Sequence, residues 1–363
     1  MTTTQTPPTP SPGGRSPVRA ARAARSTRAV TGALWRRRLL GFAITLAALV
    51  ICCALSLAIG SKHLPLDQVI AALQGATGEA GTIVRDLRVP RTLLGLLVGA
   101  ALGVAGAVMQ AFTRNPLADP GLLGVNAGAA LAVVLGAAAF GLSSLSGTVW
   151  FAFAGALVAT FAVYAIGSAG RGGPEPLRIT LAGVAVGAFL GGVTSGITLL
   201  LPEVFDLMRG WNAGSISVTP LGLTMTIAPF IVVGLIVAFA VAKPLNAVAL
   251  GDDLAVALGS RIVPTRIASI VAVTLLCGAA TAAAGPIGFL GLMVPHVVRW
   301  FTGPDQRWIL AGSAVAAPVL LLASDIVGRV ILPSGELPVG IVTAFIGAPV
   351  LIVLVRRRSV SAL

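Results

Sequence analysis

Long runs without a charged residue alternate with short polar clusters along this chain. The clearest run covers 22 residues, from Thr92 to Thr113. As a helix it extends ~33 Å, enough to cross the apolar core of a bilayer. The same pattern predicts helices at about 39–60, 92–112, 121–140, 148–168, 179–201, 223–243, 264–285, 287–301, 308–331 and 338–355. From Pro120 to Gly170 the only exposed-type punctuation is Gly141-Leu-Ser-Ser-Leu-Ser-Gly147, which divides a stretch too long for one crossing. The segment at 287–301 is shorter and rich in Gly and Pro. The expected fold class is an all-α polytopic membrane protein of about ten helices.

Composition agrees with that pattern. Charged residues make up 10% of the 363 residues and mean hydropathy is +0.96, whereas a soluble domain carries roughly a quarter charged residues. The net charge of +13 is concentrated at the ends. The first 38 residues hold eight Arg and no acid, and Arg356, Arg357 and Arg358 lie close to the end. The chain therefore divides into a basic tail at 1–38, a membrane body at 39–357 and a short tail at 358–363. Residues 1–30, rich in Pro, Thr, Ser, Ala and Arg, read as disordered. With both termini in the cytoplasm, 19 Lys and Arg lie inside and 6 outside, the asymmetry that sets orientation in a bacterial plasma membrane. The basic ends serve as a topological address beside membrane lipid, and no nucleic-acid partner is expected.

Several chemistries lack the residues they need. There is no Gly-x-x-x-x-Gly-Lys-Ser/Thr phosphate loop and no His-Glu-x-x-His pair. His63 and His296 are far apart, and Cys52, Cys53 and Cys277 lie in apolar runs, so no metal site is expected. Asp325 is the one carboxylate near the middle of a predicted span, which argues against an ion-driven carrier. The chain is not expected to be an enzyme or to bind a cofactor. Transport energy would come from another subunit.

The polar clusters carry the candidate functions, each beside a plainer reading. Arg88 and Arg91 flank Pro90 at the outer start of the second span, either touching headgroups or docking an acidic partner. Arg329 follows Asp325 by four residues, as an intrahelical pair or as a member of that outward basic set. Asn115-Pro-Leu-Ala-Asp-Pro120 ends the second span in a helix-breaking turn. In the loop at 250–259, Asp252 or Asp253 can cap a short helix that Gly259 ends. Leu254 and Leu258 share its face beside Ala255, as an interfacial helix or as a knob for a cytoplasmic motor. Gly285, Pro286, Gly288, Gly291 and Pro295 interrupt a membrane-embedded segment, which is tolerated only where protein or a water-filled path encloses the backbone. Glu336-Leu-Pro-Val-Gly340 breaks the chain before the last span. Glycines at 95, 99 and 103, and at 183, 187 and 191, form strips for close packing or for sliding between helices.

Taken in order, Arg-x-Pro-Arg at 88–91, Asn-Pro-Leu-Ala-x-Pro at 115–120, Leu-Ala-Gly at 181–183, the loop helix ending at Gly259, Gly-Pro-Ile-x-Phe-x-Gly-Leu-x-x-Pro-His-x-x-Arg at 285–299 and Glu-x-Pro-x-Gly at 336–340 are specific. Over residues 39–357 the chain resembles the FecCD family, the permease subunits of iron-siderophore and vitamin B12 importers of the ATP-binding-cassette class. The resemblance implies a type II importer fold, a second permease copy or paralogue, two ATPase subunits holding ATP and Mg, and an extracytoplasmic binding protein that delivers the cargo. It implies that Arg88, Arg91 and Arg329 pair with glutamates of the binding protein. Asn115 and Leu117 match a cytoplasmic gate, and Asp252 to Gly259 match the helix that enters the ATPase. A second family gate falls on Gly173-Pro-Glu-Pro-Leu-Arg178, which lacks the usual hydroxyl residues, so no roles carry over there. A ferric siderophore is the expected cargo, with cobalamin or haem as the alternative.

Overall fold

The computed structural model describes residues 17–142, 144–169, 175–217 and 219–356. The expectations for residues 1–16, 357–363 and the first two residues of the loop at 173–178 fall outside the described residues. The order is α1 (Pro17–Ala58), α2 (Leu66–Leu73), α3 (Glu79–Thr82), a π-helical turn (Ile83–Arg88), α4 (Val89–Thr113), a 3-10 turn (Pro120–Leu123), α5 (Val125–Phe140), α6 (Leu145–Ser168), α7 (Pro176–Leu200), α8 (Pro202–Asn212), α9 (Leu221–Val248), α10 (Asp252–Ala257), α11 (Ile262–Ala284), α12 (Leu290–Thr302), α13 (Gln306–Val330) and α14 (Val339–Arg356). Among the described residues there is no strand.

Each of the ten expected helices is present, as α1, α4, α5, α6, α7, α9, α11, α12, α13 and α14. Seven helical stretches among the described residues are long and apolar enough to cross a membrane, and α5 and α14 are shorter apolar helices. The 13 residues of α12 reach only ~20 Å, less than the ~30 Å of a bilayer core. This helix starts at Leu290 rather than 287, because Gly285 and Phe289 both take positive φ, +71° and +65°. Helix α1 reaches back to Pro17, so residues 17–30 are helical where disorder was expected. Ala and Arg, both good helix formers, dominate that stretch, and proline suits a first helical position.

Helices α4 and α11 run through the centre, and α1 and α7 lie at the periphery. In the most apolar stretch, 78% of residues are buried in α4 and in α11, against 6% in α1 and α7. The glycine strips behave differently. Gly95, Gly99 and Gly103 face α13, where an added Cβ at Gly99 would lie 2.6 Å from the Pro318 backbone. In α7, Gly183 abuts the Leu122 carbonyl, whereas Gly187 and Gly191 have nothing within 4 Å of where a Cβ would sit. The α4 strip is thus a packing surface within the chain, and most of the α7 strip is unpartnered within it.

Two clusters at the ends of α4

At the start of α4, Pro90 follows the widened π-helical turn. A proline ring clashes with the carbonyl four residues earlier, and a wider turn relieves that clash. The turn places Arg88 and Arg91 inside the bundle. Arg91 grips Asp325 with Nη2–Oδ1 at 2.7 Å and Nε–Oδ2 at 3.0 Å, and its Nη1 donates to Glu336 Oε2 at 2.6 Å. Arg329 donates to the same Asp325 from Nε at 2.9 Å and from Nη2 at 2.5 Å. One buried carboxylate therefore serves two guanidinium groups, and the pairing at i, i+4 read from the sequence is present.

The remaining donors close off α1. Arg329 Nη1 donates to the carbonyls of Ser56 and Ile59, at 2.7 and 2.9 Å. Arg88 Nη1 donates to those of Leu57 and Ala58, at 2.8 and 2.7 Å, and its Nη2 to Lys62 O at 2.6 Å. Terminal helix carbonyls have no partner in their own helix, and cations there also complement the macrodipole. A chain of hydrogen bonds completes the cluster. Arg329 Nη2 donates to Ser56 Oγ at 3.0 Å, Ser56 Oγ pairs with Thr92 Oγ1 at 2.8 Å, and Thr92 Oγ1 donates to Arg88 O at 2.8 Å.

Arg88, Arg91 and Arg329, expected as cations open to a partner, are instead buried within the chain. They are 4%, 9% and 3% exposed, and their donors are used inside the chain. The sequence placed them correctly near the start of α4 and at the end of α13, but could not show the partners of Arg91, which lie 234 and 245 positions away.

At the other end of α4, Arg114 takes a left-handed conformation, φ +51°, and ends the helix. In the turn beyond it, the exposed Asn115 accepts from the Leu117 amide at 2.9 Å, and Leu117 is also exposed. The Pro116 carbonyl is bonded to His296 Nε2 of α12 at 2.8 Å. Asp119 then accepts from the Gly121 amide at 2.7 Å and starts the 3-10 turn. This carboxylate lies outside the spans, and burial pushes its pKa up while the Gly121 bond pulls the other way.

Helix α10 sits beside this turn. Its cap is Gly251, with φ +110° and no side-chain cap, so neither Asp252 nor Asp253 plays the expected capping role. Asp252 instead pairs with Arg114 and, at 2.8 Å, with Arg266 near the start of α11. Its two oxygens are each taken up by a guanidinium group, so both partners of each bond are charged. Ala255 is buried, Leu254, Val256 and Leu258 are exposed, as is Leu250 just before the helix, and Gly259 ends it at φ +79°.

The broken segment lies between α11 and α12. Ser215 N donates to Ala284 O at 2.7 Å, and Gly340 N donates to Gly214 O at 3.0 Å. A Cβ at Gly285 would lie 2.3 Å from Trp211 O, so the loop after α8 closes directly over the break. Pro286 packs against Gly214, while Gly288 is open to its surroundings. Around Gly285 and Ile287 the backbone is enclosed by protein, as an interrupted membrane segment requires, whereas Gly288 is exposed.

Sequence reasoning missed Gln110. Pro295 has no N–H, so Gly291 O loses its normal helical donor. Gln110 Nε2 donates to Leu292 O at 3.0 Å, with Gly291 O at 3.4 Å. One turn earlier, Gly106 and Gly291 meet backbone to backbone. A lone amide in an otherwise apolar run was the available signal.

Known proteins share this sequence and fold. Residues 48–357 match the FecCD transport family. The chain is 55% identical over 316 residues, 86% of its length, to the ferric enterobactin transport system permease protein FepD of Escherichia coli (strain K12), covering 94% of that protein. It is 40% identical over 292 residues, 80% of its length, to the cobalamin import system permease protein BtuC of Halobacterium salinarum, covering 77% of that protein. A solved structure described as an inward-facing conformation of an ABC transporter of metal-chelate type superposes with a TM-score of 0.75 at 26% identity, covering 88% of this chain and 99% of that one. The chain belongs to the FecCD transport family.

Proposed function

We propose that this chain is the permease subunit of an ATP-driven importer, and that it passes a ferric siderophore from an extracytoplasmic binding protein into the cytoplasm. The 55% identity along almost the whole of a ferric enterobactin permease carries this reading. The end bearing Arg91 faces outward with the binding protein, and the end bearing Asn115 faces the cytoplasm with both termini and two ATPase subunits. A second permease copy or paralogue completes the path, and α7, with its unpartnered glycines, is a helix free to meet it. ATP and Mg belong to the ATPase chains, and this chain contributes no covalent chemistry. The binding protein docks at the end bearing Arg88, Arg91 and Arg329, where a partner's glutamate would reach any of the three only by displacing the internal partners that arginine holds.

Cargo moves because the motor and the binding protein each favour one of two arrangements of the bundle. The exposed apolar residues of α10 suit insertion into a cleft of the motor. Leu254→Asp would bury an unpaired carboxylate there, which costs several kcal/mol. We predict that it abolishes uptake while leaving the permease folded, since Leu254 is solvent-facing within the chain. Normal uptake by this variant would remove α10 from the motor contact.

The test of the whole reading is reconstitution in proteoliposomes with the cognate ATPase and binding protein. ATP-dependent accumulation of a ferric siderophore is expected, without uptake of cobalamin. Accumulation of cobalamin would favour the reading carried by the BtuC likeness. Uptake that follows a proton gradient without the ATPase would overturn the importer assignment.

A further inference from the structure

Helix α10 is joined to the rest of the chain by two pliant covalent links. Gly251 and Gly259 flank it at φ +110° and +79°, and neither has any atom within 4 Å of where a Cβ would sit. Glycines in such conformations give way easily, so a displacement of α10 could be absorbed at either link. A side-chain connection runs beside these links. Among the described residues of α10, Asp252 is the one whose side chain bonds outside the helix, with one oxygen on Arg114 and the other on Arg266.

Both partners occupy positions that matter to the path. Arg114 precedes Asn115 and holds a left-handed backbone that is costly for a residue with a side chain, ~1–2 kcal/mol. Its side chain is anchored on Asp252, and the turn it starts is fastened at Pro116 to His296 of α12. Arg266 is only 8% exposed and lies in the first turns of α11, the helix that ends at the broken segment. A single carboxylate thus ties α10 to the turn after α4 and to the base of α11.

We infer that Asp252 is a positioning residue that acts as a strut, delivering movement of α10 to the Asn115–Pro120 turn through Arg114 and to α11 through Arg266. This rests on the importer reading given above. Without the strut, α10 still meets the motor, but its movement is lost in the glycine links. The motor then hydrolyses ATP without moving the turn.

The test uses the complete transporter in nanodiscs and proteoliposomes: a spin label at Leu117→Cys, after Cys52, Cys53 and Cys277 are replaced by alanine, reads only the movement of the turn, and uptake and ATP hydrolysis are measured in separate preparations that keep Leu117. Trapping the motor with ATP and vanadate should change the label spectrum in the otherwise native chain. Asp252→Asn should suppress that change and lower chelate uptake per ATP hydrolysed by ~10-fold, within the range of ordinary coupling energies. Asp252→Glu, which keeps the charge, should restore both. A purely structural role would reduce assembly of the complex, measured by size exclusion, equally with uptake. A full label response and a native uptake-to-hydrolysis ratio in Asp252→Asn would overturn the strut, as would a label that never responds in the native chain. If the native complex transports no chelate, the importer reading fails, and the label response alone still decides the strut.

Discussion

Replacing Asp325 with alanine should remove ~3–5 kcal/mol of stability. The carboxylate is 1% exposed and lies between Arg91 and Arg329. Its loss leaves two buried guanidinium groups facing each other, with only Glu336 to offset them, and Glu336 is partly open to solvent. Arg329 would then be pushed away from Ser56 and Ile59, so the end of α1 would loosen as well. Asp325→Asn keeps the shape without the charge, and should fall between alanine and the native residue. Thermal melting of the purified protein in detergent reads the effect directly. A melting temperature for Asp325→Ala within ~2 °C of native would mean that the cluster adds little, because ~1 kcal/mol already shifts a chain of this size by a few degrees.

The second large effect concerns Gly106. An alanine Cβ there would lie 1.9 Å from the Gly291 carbonyl oxygen and 2.4 Å from its Cα. Both obstacles are backbone, so no side chain can rotate to make room. Helices α4 and α12 must separate, which breaks the bond from Gln110 to Leu292 one turn along. Overpacking of this kind typically costs ~1–3 kcal/mol, and here it also exposes the Gly291 carbonyl that Pro295 leaves without a donor. Gly106→Ala should therefore melt earlier and transport poorly. Gly288→Ala, with nothing within 4 Å, should be far less disruptive to stability. Equal melting temperatures for the two variants would show that α4 and α12 are not held as closely as their glycines indicate.

The sequence revealed the spans because bilayer crossing demands charge-free runs of a fixed length, and the run from Thr92 to Thr113 has no other ready explanation. It also revealed the pair Asp325 and Arg329, since four residues make one helical turn. The partners of Arg91 were hidden because Asp325 and Glu336 lie 234 and 245 positions away. Local patterning carries no information across such a separation. Helix α8 was missed for a different reason. Glu203, Asp206 and Arg209 make it polar, so a reading based on apolar runs assigned it to a loop. Asp252 was recognised as important to α10, but the rule that acids cap helices assigned it the wrong partner. Two arginines from elsewhere in the fold decided its role, and only the folded chain brings them together.

The closure of α1 sets an order for assembly. Its last carbonyls, from Ser56 to Ile59, are answered by Arg88 and by Arg329, the latter 270 positions after Ile59. Synthesis proceeds from the N-terminus, so α1 enters the membrane long before α13 leaves the ribosome. Until then, half of its terminal carbonyls must rely on water or headgroups. The first helix made is thus among the last to be finished, and a nascent chain truncated before Arg329 should leave that end of α1 open to proteolysis.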